Sequence, residues 1–169
     1  MKEPDILLRA LELEDLDFLY QIENDDRLWE LGVSNVPYSR RVLLDYISSA
    51  SADIYVDNQV RLIVENSRNE QVGIVDLTDF DPRHRRAELG IVIKKEFQGK
   101  GYAKASVARL LQYARNILHL RQIYAIVGVR NQKAAKMLQS VGFEGDNVLK
   151  QWLCCQDGYE DAIFFQYFL

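Results

Sequence analysis

The chain has 169 residues, of which 48% are hydrophobic and 27% charged, a composition typical of a folded globular protein rather than a disordered chain. Its 21 basic and 25 acidic residues give a net charge of −4, which argues against a general nucleic-acid-binding protein because that role needs a basic face. No stretch approaches the ~18 apolar residues of a membrane span, so no membrane partner is expected. We expect a single domain over residues 1–169.

The amino terminus and the cysteines indicate a compartment. The first 15 residues contain many charged side chains and lack the apolar run of a signal peptide. Cys154 and Cys155 are adjacent, so they are poorly placed to pair, and reduced thiols fit a cytoplasmic protein. We therefore expect a cytoplasmic location.

Acidic residues are concentrated near the amino terminus. Residues 12–30 contain eight acids and one base, a local balance of −7, while the remainder of the chain sums to +3. One interpretation is solvated helix surface, which we expect for the part from Glu12 to Asp17. The other is a surface that attracts a cationic ligand. The candidate residues for that surface are Glu23, Asp25, Asp26 and Glu30.

Apolar spacing in the first half of the chain predicts one strand, two helices and then three strands. The first helix begins near Glu14, and the second follows Pro37 with Ser39 as its cap. Polar residues 65–70 separate two β-branched runs and predict a hairpin turn. The strands of this half are expected at Ile6–Leu8, Val60–Val64, Gln71–Leu77 and Ala87–Ile93.

The second half alternates helix and strand before a final strand pair. An apolar stripe from Val107 through Ile117 and Leu118 predicts a long helix. A shorter helix is expected from about Asn131 to Ser140, with Gly142 just beyond its end. Strands are expected at Gln122–Val129, near Leu149–Cys155 and near Ala162–Phe168. This order, with about four helices, indicates a mixed α/β fold around one sheet rather than a doubly wound nucleotide-binding fold.

One glycine-containing stretch, Gln98–Ala103, lies directly between a predicted strand and the long helix. Its two glycines allow a tight turn and a close approach of the backbone to a ligand. The first turn of the helix presents unpaired backbone amides and the positive end of the helix dipole, which together suit a pyrophosphate. The spacing to a lysine followed by Ser or Thr is wrong for a Walker loop.

This stretch resembles the signature of the GNAT superfamily of acetyl-CoA-dependent N-acetyltransferases, Gln/Arg-x-x-Gly-x-Gly/Ala. A second mark of that family is an asparagine that opens the next helix and a Gly-Phe that closes it, seen here as Asn131 and Gly142-Phe143. The resemblance implies the GNAT-like fold, a mixed and mostly antiparallel central sheet with a splayed central strand pair.

Within that superfamily the chain is most similar to the spermidine/diamine N-acetyltransferases. The segments that carry this likeness are His84–Glu88, Glu96–Ala103 and Asn131–Ala134. A carboxy-terminal Asp157-Gly158-Tyr159-x-Asp161 is shared with that branch and with the enzymes that acetylate the amino termini of ribosomal proteins.

The resemblance also implies where acetyl-CoA binds. Backbone amides of the Gln98–Ala103 loop would hold the pyrophosphate, and the end of the preceding strand would pair with the pantetheine arm like an added strand. An amide there would polarise the thioester carbonyl. Asn131 would contact the cofactor, cap its helix, or do both. The implied cofactor-binding residues are Ile91, Val92, Ile93, Gln98, Gly99, Lys100, Gly101, Tyr102, Ala103 and Asn131.

Catalysis requires a base, because an alkyl amine with a pKa of about 10.4 must lose a proton before it attacks a thioester. Glu88 is the candidate base, and the alternative is a strand glutamate paired with Arg85 or Arg86. Leu138 stands where the family commonly has a tyrosine that protonates the departing thiolate. Water or another tyrosine could replace it, and the spacing does not select among the candidates. Those candidates are Tyr102, Tyr124 and Tyr159.

The function expected is acetyl transfer from acetyl-CoA to a primary amine of a small cationic substrate, a polyamine or diamine such as spermidine, by direct attack in a ternary complex. One alternative is an N-terminal acetyltransferase acting on a protein such as a ribosomal protein. Another, raised by Leu138, is an acetyl-CoA-binding module with impaired catalysis. No metal is expected, since His84 and His119 are far apart in sequence, and the family makes a homo-oligomer plausible.

Overall fold

A seven-stranded sheet forms the centre of the fold in a computed structural model that describes residues 3–29, 36–51 and 53–169. Within those residues the strands are β1 (Ile6–Ala10), β2 (Val60–Asn66), β3 (Gln71–Asp81), β4 (Arg86–Ile93), β5 (Gln122–Gly128), β6 (Glu144–Cys155) and β7 (Gly158–Phe168). Their order across the sheet is β1-β2-β3-β4-β5-β7-β6. All neighbours are antiparallel except β4 and β5, so the predicted mixed, mostly antiparallel sheet is confirmed.

The helices follow the predicted order, with two additional one-turn helices. They are α1 (Leu16–Glu23), α2 (Asp26–Trp29), α3 (Arg40–Ser49), α4 (Ile54–Asp57), α5 (Tyr102–Asn116) and α6 (Gln132–Val141). The predicted caps are present: the Ser39 hydroxyl accepts a hydrogen bond from the Val42 amide, and the side-chain oxygen of Asn131 accepts one from the Ala134 amide. In the described part of the chain, no helix is both long and apolar enough to cross a membrane.

Apolar side chains cover both faces of the sheet. On one face, residues of α5 and α6 such as Leu110 and Leu138 pack with Leu77 and Ile123 of the strands. On the other face, α1 and α3 form a smaller cluster over β2 and β3. Its buried members are Phe18, Leu19, Ile22, Leu43, Ile47, Ile63 and Ile74.

Strands β4 and β5 separate along their length. They pair over only three residues, the last pair being Glu88 with Tyr124, although β4 continues to Ile93 and β5 to Gly128. On its other side β4 pairs with β3 as far as Ile93 opposite Gly73. The segment Leu89–Ile93 therefore has one hydrogen-bonded edge and one edge open to the gap beside β5, which is the splayed strand pair expected of the fold.

Two details of the sequence-based predictions are wrong. Ile117 does not extend the apolar stripe of α5, because the helix ends at Asn116 and Ile117 is 63% exposed. Asp15 is not solvated surface like Glu12 and Asp17, since it is only 1% exposed. Its carboxylate accepts hydrogen bonds from both terminal nitrogens of Arg9, the Glu12 amide and the Gln71 side chain. The nitrogen–oxygen distances are 2.8 Å and 2.9 Å for the two Arg9 bonds and 2.8 Å for the Glu12 bond.

Candidate active site

The glycine loop connects the end of β4 to the start of α5 through left-handed backbone. Gly99 has a φ of 74° and Gly101 a φ of 88°, values that favour glycine. The Gln98 side chain donates a 2.9 Å hydrogen bond to the Ile93 carbonyl, which ties the loop to the strand that precedes it. The loop and the free edge of β4 therefore lie next to each other, as a ligand bound to both would require.

The first turn of α5 has the features of an anion site. The Ala105 amide donates to the Gly101 carbonyl at 3.1 Å, so the amides before it lie at the helix end without intrahelical partners. No acidic residue lies in this turn, so nothing there repels a phosphate. Tyr102 and Phe97 pack edge to face at 5.7 Å between ring centroids, and Lys100 lies 5.6 Å from the Phe97 ring, so these side chains anchor the loop.

Asn131 lies on the other side of the gap, just after the end of β5. Its side-chain oxygen caps α6 at 3.1 Å from the Ala134 nitrogen. The cap does not use the side-chain nitrogen, which is a hydrogen-bond donor. Both roles considered for Asn131 are therefore compatible with its position.

A cavity of about 550 Å³ lies beside the free edge of β4, between the sheet and α1 and α3. Gln98, one of the predicted cofactor-binding residues, and Glu23, one of the acidic residues predicted to attract a cation, both line this cavity. The edge residues Ile91, Val92 and Ile93 also line it. Two ligand-binding predictions made separately from the sequence thus meet in one space.

An ion-pair network that the sequence analysis did not identify lies in the same cavity. The Arg61 guanidinium donates a 2.7 Å hydrogen bond to Glu23 and two hydrogen bonds, of 2.8 Å and 3.1 Å, to Asp76. It also lies 5.6 Å from the centroid of the Tyr46 ring. Burial raises the pKa of Asp76 even though Arg61 opposes that shift, and burial also raises the pKa of Tyr46. Two carboxylates and one guanidinium leave this wall of the cavity with excess negative charge.

The sequence predicts the two strands that carry that network but not the register that pairs Arg61 with Asp76. These two residues are directly opposite in the β2–β3 pair, but a regular hairpin with the predicted turn at residues 65–70 would place Arg61 opposite Ile74. The observed pairing is displaced from that register by two residues, partly through a register shift near the end of β2, and a displacement of two keeps the side chains on the same face. An opposite-charge pair across a hairpin is a favourable cross-strand pair.

The rest of the acidic set does not gather at the same place. Asp25 pairs with Arg27 at 2.6 Å, and that hydrogen bond is the main cause of the lowered pKa of Asp25. Both residues line a second cavity of about 470 Å³, next to the first, together with Lys94 and Lys95. Asp26 is exposed at the start of α2. Glu30 lies outside the described residues.

Glu88 is partly buried and has a carboxylate, not an arginine, as its neighbour. Burial is the first cause that raises the pKa of Glu88, and the charge and hydrogen bond of Asp79 raise it further. Arg86 pairs with Asp81 at 3.3 Å, and Arg85 is exposed in the hairpin with a φ of 50°. The alternative reading, a strand glutamate held by one of these arginines, does not describe the observed contacts.

Asp79 was missed because its position depends on an irregularity in the sheet. The β3–β4 register shifts between Thr78 and Asp81, and Asp79 has a left-handed φ of 48°. Neither feature follows from period-two alternation. The shift brings the Asp79 side chain against Glu88, two strand residues that a regular ladder would not pair.

Leu138 is 2% exposed and belongs to the apolar cluster between α6 and the sheet, so the position of the family's usual tyrosine serves core packing here. Among the described residues there is also no group of three or more His, Cys, Asp or Glu side chains that could hold a metal ion.

Comparison with known proteins gives consistent matches over nearly the whole chain. Residues 5–144 match the acetyltransferase (GNAT) domain family. The spermidine N(1)-acetyltransferase of Vibrio cholerae is 31% identical over 157 residues, which are 93% of this chain and 89% of that protein.

Two solved structures of the V. cholerae spermidine N-acetyltransferase share the fold. The crystal structure in complex with CoA and spermine has a TM-score of 0.84 and 30% identity, and covers 96% of this chain and 95% of that one. A dodecameric structure in an intermediate state has a TM-score of 0.82 and 30% identity, and covers 96% and 93% of the two chains.

Proposed function

This chain belongs to the acetyltransferase (GNAT) domain family, and from that premise we propose that it transfers an acetyl group from acetyl-CoA to a primary amine of a polyamine or diamine such as spermidine. The observation that carries the proposal is the cavity in which the free edge Leu89–Ile93 meets the carboxylates of Glu23 and Asp76. An edge that accepts the donor and a wall that attracts a cation are the two requirements of this reaction.

The proposed donor site uses residues whose geometry fits acetyl-CoA. The amides at the start of α5 and the Gly99–Gly101 loop would bind the pyrophosphate, and Ile91, Val92 and Ile93 would pair with the pantetheine arm. Acetyl-CoA supplies an activated thioester. A strand amide beside the gap would polarise its carbonyl.

Glu88 is the proposed base. At pH 7 an amine with a pKa of about 10.4 lies roughly 3.4 units, or about 4.6 kcal/mol, from its neutral form. A carboxylate whose pKa is raised by burial and by Asp79 accepts a proton more readily than an ordinary glutamate. Glu88 would take the ammonium proton, directly or through water, before the nitrogen attacks the thioester carbon.

The cavity wall supports a substrate with a second positive charge. Glu23 and Asp76 both pair with Arg61, so the three side chains together carry a charge of −1. That excess would hold one ammonium group at a distance from the reacting amine. Tyr38 and Tyr46 in the same cavity supply apolar surface for the methylene chain between the two nitrogens.

The test is turnover of acetyl-CoA with spermidine, putrescine and a peptide with a free amino terminus, compared at equal concentration. We expect both polyamine substrates to be acetylated, and Glu23→Gln to raise the KM for spermidine about tenfold with little change in the KM for acetyl-CoA. Clear peptide acetylation with no polyamine turnover would instead indicate an N-terminal acetyltransferase. Tight acetyl-CoA binding without turnover of any amine would indicate a binding module.

We further propose a homo-oligomer formed by a single-domain chain of residues 1–169, acting in the cytoplasm. A related enzyme is dodecameric, and β6, one of the two edge strands of this sheet, carries exposed apolar side chains at Val148 (50%) and Trp152 (56%). Light scattering on the wild type and on Trp152→Glu tests this, since a monomeric wild type contradicts it and a smaller variant particle supports it.

A further inference from the structure

Leu138 leaves the reaction without its usual acid, so the departing sulfur takes its proton either from water or from another side chain. Of the tyrosines that the sequence left open, Tyr102 opens α5 and packs on Phe97 at the pyrophosphate loop. Tyr159 is 67% exposed at the start of β7. Tyr124 lies in the last residue pair of β4 and β5, where the gap for the pantetheine arm begins.

The side chain of Tyr124 lies on the substrate face of the sheet. Its neighbours Ile123 and Ala125 are buried in the core cluster with α5 and α6, so Tyr124 points to the opposite face. Glu88 alternates in the same way between buried Ala87 and Leu89. Glu88 and Tyr124 are therefore neighbours on one face, on strands about 4.8 Å apart.

The ring of Tyr124 is held in place by stacking. Its centroid is 5.2 Å from that of Phe164 on β7, and the two planes differ by 21°. A fixed ring limits the positions that its hydroxyl occupies, which favours transfer to a single partner.

A second tyrosine in the acceptor cavity, Tyr46, is placed less well. Its hydroxyl accepts a 3.2 Å hydrogen bond from Gln59, and its ring lies beside Arg61 of β2. Strand β2 is separated from β4 by β3, so Tyr46 lies near the far wall of the cavity rather than at the gap between β4 and β5.

We propose that Tyr124 is the acid of the acetyl transfer, donating its hydroxyl proton to the sulfur of coenzyme A; this inference rests on the proposed function. As the amine nitrogen bonds to the thioester carbon, the carbon–sulfur bond breaks and the sulfur takes the proton of Tyr124. The ammonium group gives up two protons in all. The first reaches solvent through Glu88 before the nitrogen attacks, which restores the Glu88 carboxylate. Glu88 then takes the second proton from the attacking nitrogen and returns it to the Tyr124 oxygen. One proton thus passes from the neutral amine to the thiol, one is released to solvent, and both side chains regain their starting states.

The electrostatics agree with that role. Burial, followed by the charges of Glu88 and Asp79, raises the pKa of Tyr124, so the hydroxyl keeps its proton at neutral pH. Only the protonated form can donate. Glu88, which shares the last β4–β5 residue pair with Tyr124, is the carboxylate that would return a proton to the phenolate oxygen.

The experiment compares wild type with Tyr124→Phe, which keeps the ring and its stacking on Phe164 but removes the hydroxyl. Two acetyl donors are used: acetyl-CoA and an acetyl thioester of an aromatic thiol, whose weakly basic thiolate departs without an acid. We expect kcat with acetyl-CoA to fall about 10²-fold, with the KM for spermidine within twofold, and the loss to shrink to less than about threefold with the aromatic donor. Tyr159→Phe is the matched control and should act like wild type with both donors.

Rates within twofold of wild type with both donors would overturn the proposal, and so would an equal loss with both, which indicates a structural role. The unfolding midpoint and the Kd for acetyl-CoA, both expected to stay unchanged, show that Tyr124→Phe is folded. A wild type that acetylates the peptide but no polyamine overturns only the substrate assignment, and the comparison is then made with the peptide. A wild type that acetylates no amine overturns both.

Discussion

Glu88 and Tyr124 face each other in the last residue pair of β4 and β5, and the strands diverge immediately beyond them. Asp79 reaches the same place through the irregular end of β3, so three ionisable side chains meet where the open edge of β4 begins. Backbone groups on the open edge are available to a ligand, so the side chains proposed to transfer protons lie beside the segment proposed to bind the acetyl donor. This arrangement makes the contribution of each group separable by mutation.

Replacing the proposed base should slow the chemical step without weakening donor binding. Glu88→Gln preserves the size of the side chain but cannot accept the ammonium proton, so we expect kcat to fall by about 10²- to 10⁴-fold. The Kd for acetyl-CoA, measured by calorimetry, should stay within twofold of wild type. A variant that retains most of its kcat would contradict the role assigned to Glu88.

The charge of Asp79 should set the acidic limb of the pH–rate profile. Because burial and the Asp79 carboxylate both raise the pKa of Glu88 above its ordinary 4.5, Glu88 becomes an active base only at a correspondingly higher pH. Asp79→Asn removes one of these causes, so the limb in kcat/KM should move to lower pH. Asp79→Glu keeps the charge and serves as the control, with a limb close to that of wild type. A limb that does not move in Asp79→Asn would show that Glu88 does not govern it.

The order of the main elements could be predicted because it depends on local patterns. Apolar periodicity located the long helices and strands, and the residue types at their ends located caps such as Ser39 and Asn131. The one-turn helices α2 and α4 were missed because four residues are too few to show a helical period. The splayed strands could be expected only through the resemblance carried by the glycine loop, since no local pattern distinguishes paired from unpaired residues of β4.

The polar contacts of the site were predicted less completely because they depend on register and burial. Glu23 was identified by charge alone, and charge could not show that Arg61 would compensate it. Asp25 was grouped with Glu23 by sequence proximity, yet it lines the neighbouring cavity with Arg27. Asp15 looked like its exposed neighbours because one helical turn places residues on different sides, and only the fold shows which side is buried.

The glycine loop should bind the donor only while its left-handed backbone is unstrained. An alanine Cβ at Gly99 meets no atom within 4 Å, so Gly99→Ala tests conformation without a clash. A left-handed non-glycine residue costs about 1–2 kcal/mol, which corresponds to roughly a tenfold higher Kd for acetyl-CoA if the loop adapts by moving its amides. Gly158→Ala is the matched control, since Gly158 also has a positive φ and open space around it but lies at the start of β7, away from the loop.

Calorimetric titration with acetyl-CoA distinguishes the two glycine variants. Both should lose unfolding free energy, because alanine is strained at a positive φ, and only Gly99→Ala should lose affinity. Equal affinities in the two variants would contradict the placement of the donor's pyrophosphate at this loop.

The buried carboxylate of Asp15 should contribute stability that acid removes. Burial opposes its ionisation, but the hydrogen bonds from Arg9 and the Glu12 amide outweigh burial, and the pKa of Asp15 is lowered. A carboxyl with a lowered folded-state pKa stabilises fully above its unfolded value of about 3.9 and loses that contribution as pH falls through the folded value. Asp15→Asn should therefore lose about 2 kcal/mol at pH 7, because it removes the charge-assisted hydrogen bonds between Asp15 and Arg9, which then keeps only Glu65 as a carboxylate partner, at 2.7 Å. Urea unfolding from pH 7 to pH 3 should show that the difference in unfolding free energy between Asp15→Asn and wild type narrows only below about pH 4. The control is Asp17→Asn, at an exposed ion pair with Arg40, whose unfolding free energy should stay within about 0.5 kcal/mol of wild type throughout. A difference for Asp15→Asn that is constant with pH would contradict the assignment.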